Sequence, residues 1–171
     1  MRRTTVPQST VNALAVAEDI LDIGLVIRVA ARSLVRADGV TFVLADGDHC
    51  FYEDEDAIAP LWKGQRFPQS TCISGWAMLH AEQAVIPDIR LDPRIPWEAY
   101  QPTFVKSLVM TPVGTPPMAA IGVYWARIRE ANPDEVAALR HLADLTAAAI
   151  DRVGLSSAPW APNFELDDRM A

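Results

Sequence analysis

The stretch of residues 70–113 limits the possible folds of this chain more than any other part. Three prolines fall within ten positions inside it, namely Pro93, Pro96 and Pro102. Proline disfavours the α region for the residue before it, so no long helix or strand can run through this segment. The same segment contains three aromatic residues, Trp97, Tyr100 and Phe104. Aromatic side chains need burial, and we therefore predict a packed segment with about one helical turn.

Short regular elements are predicted on both sides of these prolines. Residues 72–80 carry apolar side chains at helical spacing, and a hydroxyl side chain near their start is expected to cap this helix. The candidate caps are Ser70, Thr71 and Ser74. Residues 84–86 suit a short strand because Pro87 ends the apolar run, and residues 105–113 suit a longer strand.

The N-terminal part of the chain predicts two helices. Thr10 is a candidate N-cap for the first helix, in which apolar residues recur at helical spacing. Asp22 and Gly24 predict a break before the second helix. Gly39 is expected to take a left-handed conformation just after the second helix ends.

The middle of the chain predicts strands. Residues 40–45 and 49–53 flank an Asp-Gly-Asp turn and are predicted to form a hairpin. A short helix is then predicted to begin at residues 54–56. Its apolar side would consist of Ile58, Leu61 and Trp62. Residues 118–127 are predicted to form the partner strand of residues 105–113.

The last helix has the clearest start signal in the sequence. Asn132 suits the N-cap, Pro133 the first helical position and Glu135 the third, which is close to the capping-box pattern. We predict a helix over residues 132–153. Apolar residues recur along it at helical spacing.

The length of 171 residues is sufficient for one domain with a proper core. We predict that this domain spans residues 9–154. A flexible N-terminus of residues 1–8 and a tail of residues 155–171, which lacks periodicity, would flank it.

Charge and composition exclude several classes of partner. The net charge of −7 and the pI near 4.9 argue against binding to nucleic acid or to an anionic membrane. No apolar run approaches the roughly 18 residues that span a bilayer, and the N-terminus lacks the apolar region of a signal peptide. Two cysteines fit a reducing compartment. We therefore predict a cytoplasmic protein.

Four short motifs follow one another with regular spacing. They are Ser74-Gly75-Trp76-Ala77, Val85-Ile86-Pro87-Asp88, Asp92-Pro93-Arg94, and Val105-Lys106-Ser107-Leu108 leading into Met110-Thr111-Pro112-Val113. In order and spacing they resemble a GAF domain, the small-molecule-sensing module of many bacterial signalling proteins. The closest resemblance is to GAF domains that precede bacterial sensor histidine kinases. It extends more loosely over residues 11–153.

The resemblance implies an α/β fold of the α+β type. A central, mainly antiparallel sheet of five to six strands would be flanked by helices, with residues 88–104 covering its other face. The implied function is that of a non-enzymatic sensory or regulatory domain. It would bind a small ligand or sense a change of state, and would signal to a partner such as a histidine kinase in a two-component-type pathway.

The helices at the two ends of the chain, residues 10–36 and 132–153, would carry this signal. In this family such helices often pair across a dimer, so the resemblance implies a homodimer. Apolar residues on their predicted outward faces agree with pairing, among them Ala15, Ala138 and Leu142.

In a GAF domain the ligand lies between the sheet and the covering segment. The candidate ligand-binding residues here are Trp76, Asp88, Asp92, Arg94, Trp97, Tyr100, Ser107, Met110 and Tyr124. Aromatic walls with a few polar groups suit a flat or small organic ligand, whose identity the sequence leaves open. The alternative is that these aromatics fill a core, that Asp92 and Arg94 form only a local pair, and that the chain is a ligand-free dimerisation module.

Cys72 supports a further alternative. A cysteine near a helix N-terminus has its thiolate stabilised by the helix dipole, so the chain could be a thiol redox sensor or an enzyme similar to the methionine sulfoxide reductases of this family. That branch uses several cysteines, and this chain has two. Cys72 would otherwise be a small buried side chain. Cys50 has no partner at metal-ligand spacing, so no metal site is predicted, and no catalytic triad or phosphate-binding loop is found.

Two further ligand classes of the family find no support in the sequence. Residues 94–104 contain no cysteine to which a bilin could be attached. The signature of the cyclic-nucleotide-binding branch is absent as well.

Overall fold

The computed structural model describes residues 3–155. The helices are α1 (Gln8–Val16), α2 (Ile20–Val35), α3 (Ile73–His80), α4 (Trp97–Tyr100) and α5 (Pro133–Val153). The strands are β1 (Gly39–Asp46), β2 (His49–Ala57), β3 (Arg66–Pro68), β4 (Ala84–Ile86), β5 (Ser107–Val113) and β6 (Ala119–Trp125). Gln69–Thr71 and Ile89–Leu91 form single 3₁₀ turns. Apart from Leu155, the tail predicted for residues 155–171 lies outside the described residues.

The six strands form one antiparallel sheet in the order β3-β2-β1-β6-β5-β4. β1 and β2 are joined by the predicted hairpin turn, in which Gly47 has a φ of 59°. This positive φ is accessible to glycine without steric cost. The predicted α+β fold with a central antiparallel sheet is confirmed.

The alternation of side chains along β6 divides the interior into two cores. Val123 and Trp125 lie in the core formed with α1, α2 and α5. Ala120 and Tyr124 lie in the core formed with α3 and the covering segment, which we define as residues 88–104. Every residue of β5 and β6 is buried, because both faces of these strands are covered.

The first helix begins earlier than the sequence suggested. α1 starts directly after Pro7, and Thr10 lies within its first turn rather than at the N-cap. The break before α2 comes at Ala17, which has an extended backbone, and not at Asp22 and Gly24. Gly24 instead lies inside α2, where it lets the helix approach β2 closely.

The limits of α2 are set by Asp19 and Arg36. The Asp19 carboxylate accepts a hydrogen bond of 2.8 Å from the backbone N–H of Asp22. Arg36 takes the left-handed conformation with a φ of 51°, so the prediction that Gly39 would do so was wrong. Gly39 begins β1, where its small size leaves room for neighbouring side chains.

β2 extends through residues 54–56, which were predicted to begin a helix. Its pairing with β1 continues as far as Ala57. The Glu55 carboxylate accepts hydrogen bonds of 2.7–2.9 Å from three successive backbone N–H groups. These belong to Leu61, Trp62 and Lys63. The segment after β2 is therefore a loop held by one side chain, and Ile58 is exposed.

The start of α3 lacks the predicted hydroxyl cap. Cys72 occupies the N-cap position, and no side chain bonds the first turn. Thr71 donates its hydroxyl to the carbonyl oxygen of Pro68 at 3.0 Å. The Ser74 hydroxyl is buried, 3.0 Å from the hydroxyl of Tyr52. The Ser74 side chain therefore forms its hydrogen bond inside the core and does not cap α3.

The covering segment is packed and contains one helical turn, α4, as predicted. Asp88 and Asp92 each accept a hydrogen bond from the backbone N–H two residues later, which fixes the two bends before α4. Tyr100 is buried, whereas Trp97 remains 46 % exposed. The segment therefore packs on the sheet through Tyr100 together with Ile89 and Ile95, which are also buried.

α5 begins with the predicted capping box. The Asn132 side chain accepts a bond from the backbone N–H of Glu135, and the Glu135 carboxylate accepts one from that of Asn132. Ala138 and Leu142 were predicted to face outward, but both are buried. The reason is that α5 contacts α1, α2 and β5 at once, so more than one of its faces is covered.

The substitution Gly75→Ala is expected to destabilise the protein. Gly75 lies in the first turn of α3, and a Cβ there would collide with the backbone of Gln69. Helix propensity alone would favour alanine by about 1 kcal/mol. Overpacking against backbone outweighs it, so we expect the free energy of unfolding to fall by about 1–3 kcal/mol in urea denaturation.

Gly24→Ala is the matched control. A Cβ at this helical position would lie 2.5 Å from Oε2 of Glu53, the far end of a flexible side chain. That end can move, so we expect a change within about 1 kcal/mol. An equal loss of stability in both variants would contradict the steric explanation.

Candidate functional site

A cavity of about 210 Å³ lies between the sheet and the covering segment. Its walls come from β2, β3, the loop after β2, the start of α3 and α4. The lining residues are Tyr52, Trp62, Phe67, Thr71, Cys72, Pro96, Glu98, Ala99 and Tyr100. Among the described residues that line it none is positively charged, and their one carboxylate, of Glu98, is exposed. The cavity is therefore mostly apolar.

Aromatic rings form most of the wall. The Trp62 ring lies 4.7 Å from the ring of Tyr100 and 5.7 Å from that of Tyr52, measured between centroids. Tyr52 also meets Phe67 edge-to-face at 5.6 Å, and Trp62 meets Tyr124 at 5.7 Å. Aromatic pairs in this distance range stabilise one another beyond the area that they bury. The rings therefore give the cavity a rigid wall.

Three buried tyrosine hydroxyls lie in or beside this cluster. Tyr52 bonds Ser74, and Tyr124 bonds Thr41 at 2.8 Å. The hydroxyl of Tyr100 is buried without a hydrogen-bond partner, beside the phenol of Tyr124. Burial raises the pKa of all three phenols, so they are neutral at physiological pH. Tyr100, a lining residue of the cavity, thus has a buried hydroxyl without a partner among the described residues.

Three of the sequence-predicted ligand residues lie in the sheet and are fully buried. Ser107 donates its hydroxyl to the carbonyl oxygen of Arg127 at 2.7 Å. Met110 and Tyr124 belong to the core beneath the covering segment. None of the three lines the cavity.

A second group of predicted residues forms a cluster at the surface. The Arg94 guanidinium lies 4.3 Å from the centroid of the Trp76 ring and forms an ion pair of 2.7 Å with Asp92. The Trp76 ring also stacks on that of His80, with 4.5 Å between centroids. The hydrogen bond from Arg94 lowers the pKa of Asp92. These contacts satisfy the side chains locally, away from the cavity.

Asp88 and Trp97 line a different cleft, of about 270 Å³, on the outer side of the covering segment. Asp88 is paired there with Arg90 at 2.8 Å, and hydrogen bonding to Arg90 lowers the pKa of Asp88. Tyr100 lines both this cleft and the cavity. Of the nine predicted ligand residues, Tyr100 alone lies in the lining of the cavity, and the redox candidate Cys72 joins it there.

Solved structures with the same architecture identify the fold. The GAF domain of a phosphoenolpyruvate-protein phosphotransferase from Acinetobacter is 13 % identical in sequence and superposes with a TM-score of 0.76 over 88 % of this chain and 95 % of that one. This chain has the GAF fold. No family model and no curated protein matched the sequence.

Two other structures show how varied proteins with this fold are. A free methionine-R-sulfoxide reductase from Neisseria meningitidis, solved with its substrate, is 14 % identical, with a TM-score of 0.75 over 86 % of this chain and 87 % of that one. The phycoerythrobilin-bound GAF domain of a cyanobacterial phytochrome is 17 % identical, with a TM-score of 0.70 over 85 % and 95 %. At these identities the likeness shows the fold alone.

Sequence analysis missed most of the cavity wall of this GAF fold. Tyr52, Trp62 and Phe67 lie on β2, β3 and the loop between them, upstream of the motifs that suggested a site. Alternation along β2 places Cys50 and Tyr52 on one face of the sheet, and this period-2 pattern was the available signal. No local sequence pattern predicts that Trp62 lines the cavity, because its position depends on the hydrogen bond from its backbone N–H to the Glu55 carboxylate.

The two cysteines lie together at the base of the cavity. Cys72 lines it, and Cys50 lies behind Cys72 on β2, close enough for each thiol to shift the pKa of the other. Both are free and buried. The sequence placed them 22 positions apart and gave no reason to pair them.

A separate groove lies between α2 and β2. Its lining includes Arg28, Glu53, Asp54 and Lys63. Asp54 is paired with Lys63 at 3.1 Å and with Arg28 at 3.5 Å, whereas Oε2 of Glu53 is buried without a partner. Burial, followed by the charge of Asp54, raises the pKa of Glu53 to about 7. This carboxyl therefore titrates near neutral pH.

Two absences apply to residues 3–155. No group of three or more histidine, cysteine, aspartate or glutamate side chains is arranged to hold a metal ion. No helix there has the length and apolar character needed to cross a bilayer.

The raised pKa of Glu53 predicts a pH-dependent stability. Between about pH 4.5 and 7 the folded state keeps a proton that the unfolded state releases, so this group lowers the free energy of unfolding as the pH rises through that range. Glu53→Gln removes the charge. We expect the variant to be more stable than wild type at pH 8 by about 1 kcal/mol, a value reduced by solvent screening, and equal to wild type at pH 4.

Denaturation in urea at pH 4, 6 and 8 measures this difference. Glu130→Gln, at an exposed position, is the control and should follow wild type throughout. A difference between wild type and Glu53→Gln that stays constant with pH would exclude the titration of Glu53 as the cause.

Proposed function

We propose that the chain is a sensory domain whose cavity binds a small, neutral, ring-shaped organic molecule. The observation that carries this proposal is the aromatic cavity beneath the covering segment, whose lining includes Tyr100, a residue with a buried hydroxyl that has no partner among the described residues. A buried hydroxyl without a partner costs free energy that a ligand oxygen or nitrogen would recover. Convergence of apolar walls on one polar group is typical of small-molecule sites.

The volume and charge of the cavity restrict the ligand. At about 210 Å³ the cavity is smaller than the roughly 300–1,000 Å³ of sites for drug-sized molecules, but it has room for a single ring. No cationic side chain lines it to pair with an anion, and Glu98 adds a negative charge at its edge. We therefore expect neutral ligands to bind better than carboxylates of the same size.

The role that we propose is not enzymatic. The polar side chains of the cavity besides the tyrosines are Thr71, Cys72 and Glu98. They provide no general base hydrogen-bonded to a nucleophile, and a volume of about 210 Å³ leaves little space for a second substrate. An activity like that of the reductases with this fold remains the second candidate, and it would depend on Cys72.

The signal would pass through the sheet to the helices at the two ends of the chain. β5 and β6 contact the cavity-side core with one set of side chains and α5 with the alternate set. α5 is tied to α1 by a hydrogen bond of 2.7 Å from Arg152 to the carbonyl oxygen of Leu14. Ligand binding that shifts the covering segment would change the population of helix positions. A cytoplasmic histidine kinase of a two-component pathway is the kind of partner that we propose.

A second copy of the chain is the proposed partner of α2. Leu21, Leu25 and Val29 recur every four residues on this helix and are 43 %, 48 % and 59 % exposed. Such a stripe is apolar surface without a cover in the single chain. Pairing of two α2 helices along it would bury these side chains and form a symmetric dimer.

Ligand binding is tested with phenol and benzoate by isothermal titration calorimetry at pH 7. We expect phenol to bind more tightly than benzoate because the cavity lacks a cation. Ala99→Phe should abolish phenol binding by filling the cavity, and Tyr100→Phe should weaken it by about 2–10-fold through loss of one hydrogen bond.

Ala59→Phe, at an exposed loop position outside the cavity, is the matched control and should bind phenol like wild type. Absence of binding by wild type, or equal binding by the Ala99→Phe variant, would count against the proposed site.

The dimer is tested by analytical ultracentrifugation. We expect wild type to sediment as a dimer and Leu25→Glu as a monomer, since a charge in the apolar stripe opposes its burial. Leu79→Glu alters a leucine of α3 that is 60 % exposed and should leave the dimer intact. A monomeric wild type, or a dimer that survives Leu25→Glu, would exclude this interface.

A further inference from the structure

Two thiols that are distant in sequence meet at the base of the cavity. Cys50 lies in β2 opposite Phe67 of β3, and the 3₁₀ turn that follows β3 brings Cys72 back over the sheet. The two side chains belong to the same core, and each thiol shifts the pKa of the other. Neither forms a disulfide.

Ser74 supports this pair from the first turn of α3. Its hydroxyl lies 3.3 Å from Sγ of Cys72 and 3.0 Å from the hydroxyl of Tyr52. It also acts to lower the pKa of the Cys50 thiol, against the effects of Cys72 and of burial. A hydroxyl that can donate to either sulfur stabilises whichever thiol has lost its proton.

The surroundings make the two cysteines chemically unequal. Hydrogen bonds from Cys50 and Ser74 and from the backbone N–H of Gly75 lower the pKa of Cys72, against the effect of burial. The hydrogen bond to Cys72, with burial, raises the pKa of Cys50. Cys72, whose thiol also donates to the carbonyl oxygen of Pro68 at 3.5 Å, is therefore the more acidic thiol of the pair.

Other titratable groups face Cys72 from the elements packed around it. They are His49, Tyr52, Tyr100 and Tyr124. The phenols are neutral because burial raises their pKa values, so no fixed negative charge among them opposes the thiolate. Cys72 is also the cysteine that lines the cavity, whereas Cys50 is fully buried behind it.

We propose that Cys72 and Cys50 form a peroxide-reactive dithiol, in which Cys72 attacks a hydroperoxide that enters the cavity and Cys50 resolves the product. This inference does not depend on a ring-shaped ligand. The cavity admits the oxidant to one sulfur only, and the second sulfur is already in contact with the first.

The reaction balances as a two-electron oxidation. The Cys72 thiolate attacks the distal peroxide oxygen, the O–O bond breaks, and Cys72 becomes a sulfenic acid while the released alkoxide or hydroxide takes a proton. The Cys50 sulfur then attacks the Cys72 sulfur. The S–O bond breaks, hydroxide leaves and takes the Cys50 proton as water, and a disulfide forms. An external dithiol would restore both thiols.

The disulfide would act on the cavity wall. Residues 51–71 lie between the two cysteines and supply four lining residues, Tyr52, Trp62, Phe67 and Thr71. A covalent bond from β2 to the start of α3 would close this segment into a loop and restrict its motion. Oxidation would thus change the same wall that surrounds the cavity.

The test uses the reduced full-length chain and hydrogen peroxide, with no other ligand present. We expect wild type to lose both thiols, to decrease in mass by about 2 Da for the two hydrogens lost, and to give one linked peptide containing Cys50 and Cys72. Cys50→Ser should instead accumulate a Cys72 sulfenic acid that dimedone traps. Cys72→Ser should react at least about tenfold more slowly than wild type, because its remaining thiol is buried and protonated.

Ser74→Ala keeps both cysteines and controls for misfolding of the cysteine variants, whose folding is checked by circular dichroism. It should form the same disulfide about fivefold more slowly, since one hydrogen bond to the thiolate is lost. The rate of alkylation by iodoacetamide against pH should have its midpoint below that of glutathione in wild type and move upward in Cys50→Ser.

Three results would overturn the proposal. They are a disulfide between two chains instead of within one, equal peroxide rates for wild type and Cys72→Ser, and no change in mass at a peroxide concentration that oxidises free glutathione. Because the assay contains no phenol, its outcome is separate from that of the ligand-binding experiment.

Discussion

Burial of the sheet on both faces is the constraint on which the rest of the structure depends. Antiparallel sheets commonly expose one face to water, but every residue of β5 and β6 is buried here. β5 and β6 must therefore each supply two different apolar surfaces from alternate positions. One is filled by α1, α2 and α5, and the other is closed by α3 and the covering segment. The cavity lies where the second cover is incomplete.

The position of the cavity follows from how the middle of the sheet is filled. A Cβ at Gly122 would lie 2.5 Å from the hydroxyl of Tyr124, 2.7 Å from Oγ1 of Thr41 and 2.8 Å from Cε of Met110. The chain's own side chains thus occupy the space above this glycine. The cavity lies toward β2 and β3, where its wall includes Trp62 and Phe67.

Local signals in the sequence predicted much of the fold. The capping box at Asn132, the turn at Gly47 and the prolines of the covering segment act through neighbouring backbone, so short motifs were sufficient. The predictions were wrong where contacts between residues distant in sequence determine the structure. Pairing with β1 extends β2 through residues 54–56 against their helical appearance, and Leu142 is buried because α5 is covered on more than one face.

The site was harder to predict than the fold for the same reason. Asp88 pairs with Arg90, and Asp92 pairs with Arg94. Each of these ion pairs joins residues two positions apart, so it fixes the backbone of the covering segment and does not contribute to the cavity. The cavity wall and the cysteine pair are assembled by strand register and by the return of the chain after β3. No spacing rule along the sequence contains that information.

One carboxylate has a consequence for how such a cavity can be reshaped. The Glu55 carboxylate binds the three backbone N–H groups that position Trp62, and backbone hydrogen bonds of Tyr52 with Gly64 and Gln65 hold the far end of the same loop to β2. Substitutions in the exposed loop at 58–60 therefore act on the position of the indole through these attachments and leave the pairing of β2 with β1 intact. Sequence changes in this surface loop can thus alter which ligands fit the cavity while the sheet stays unchanged.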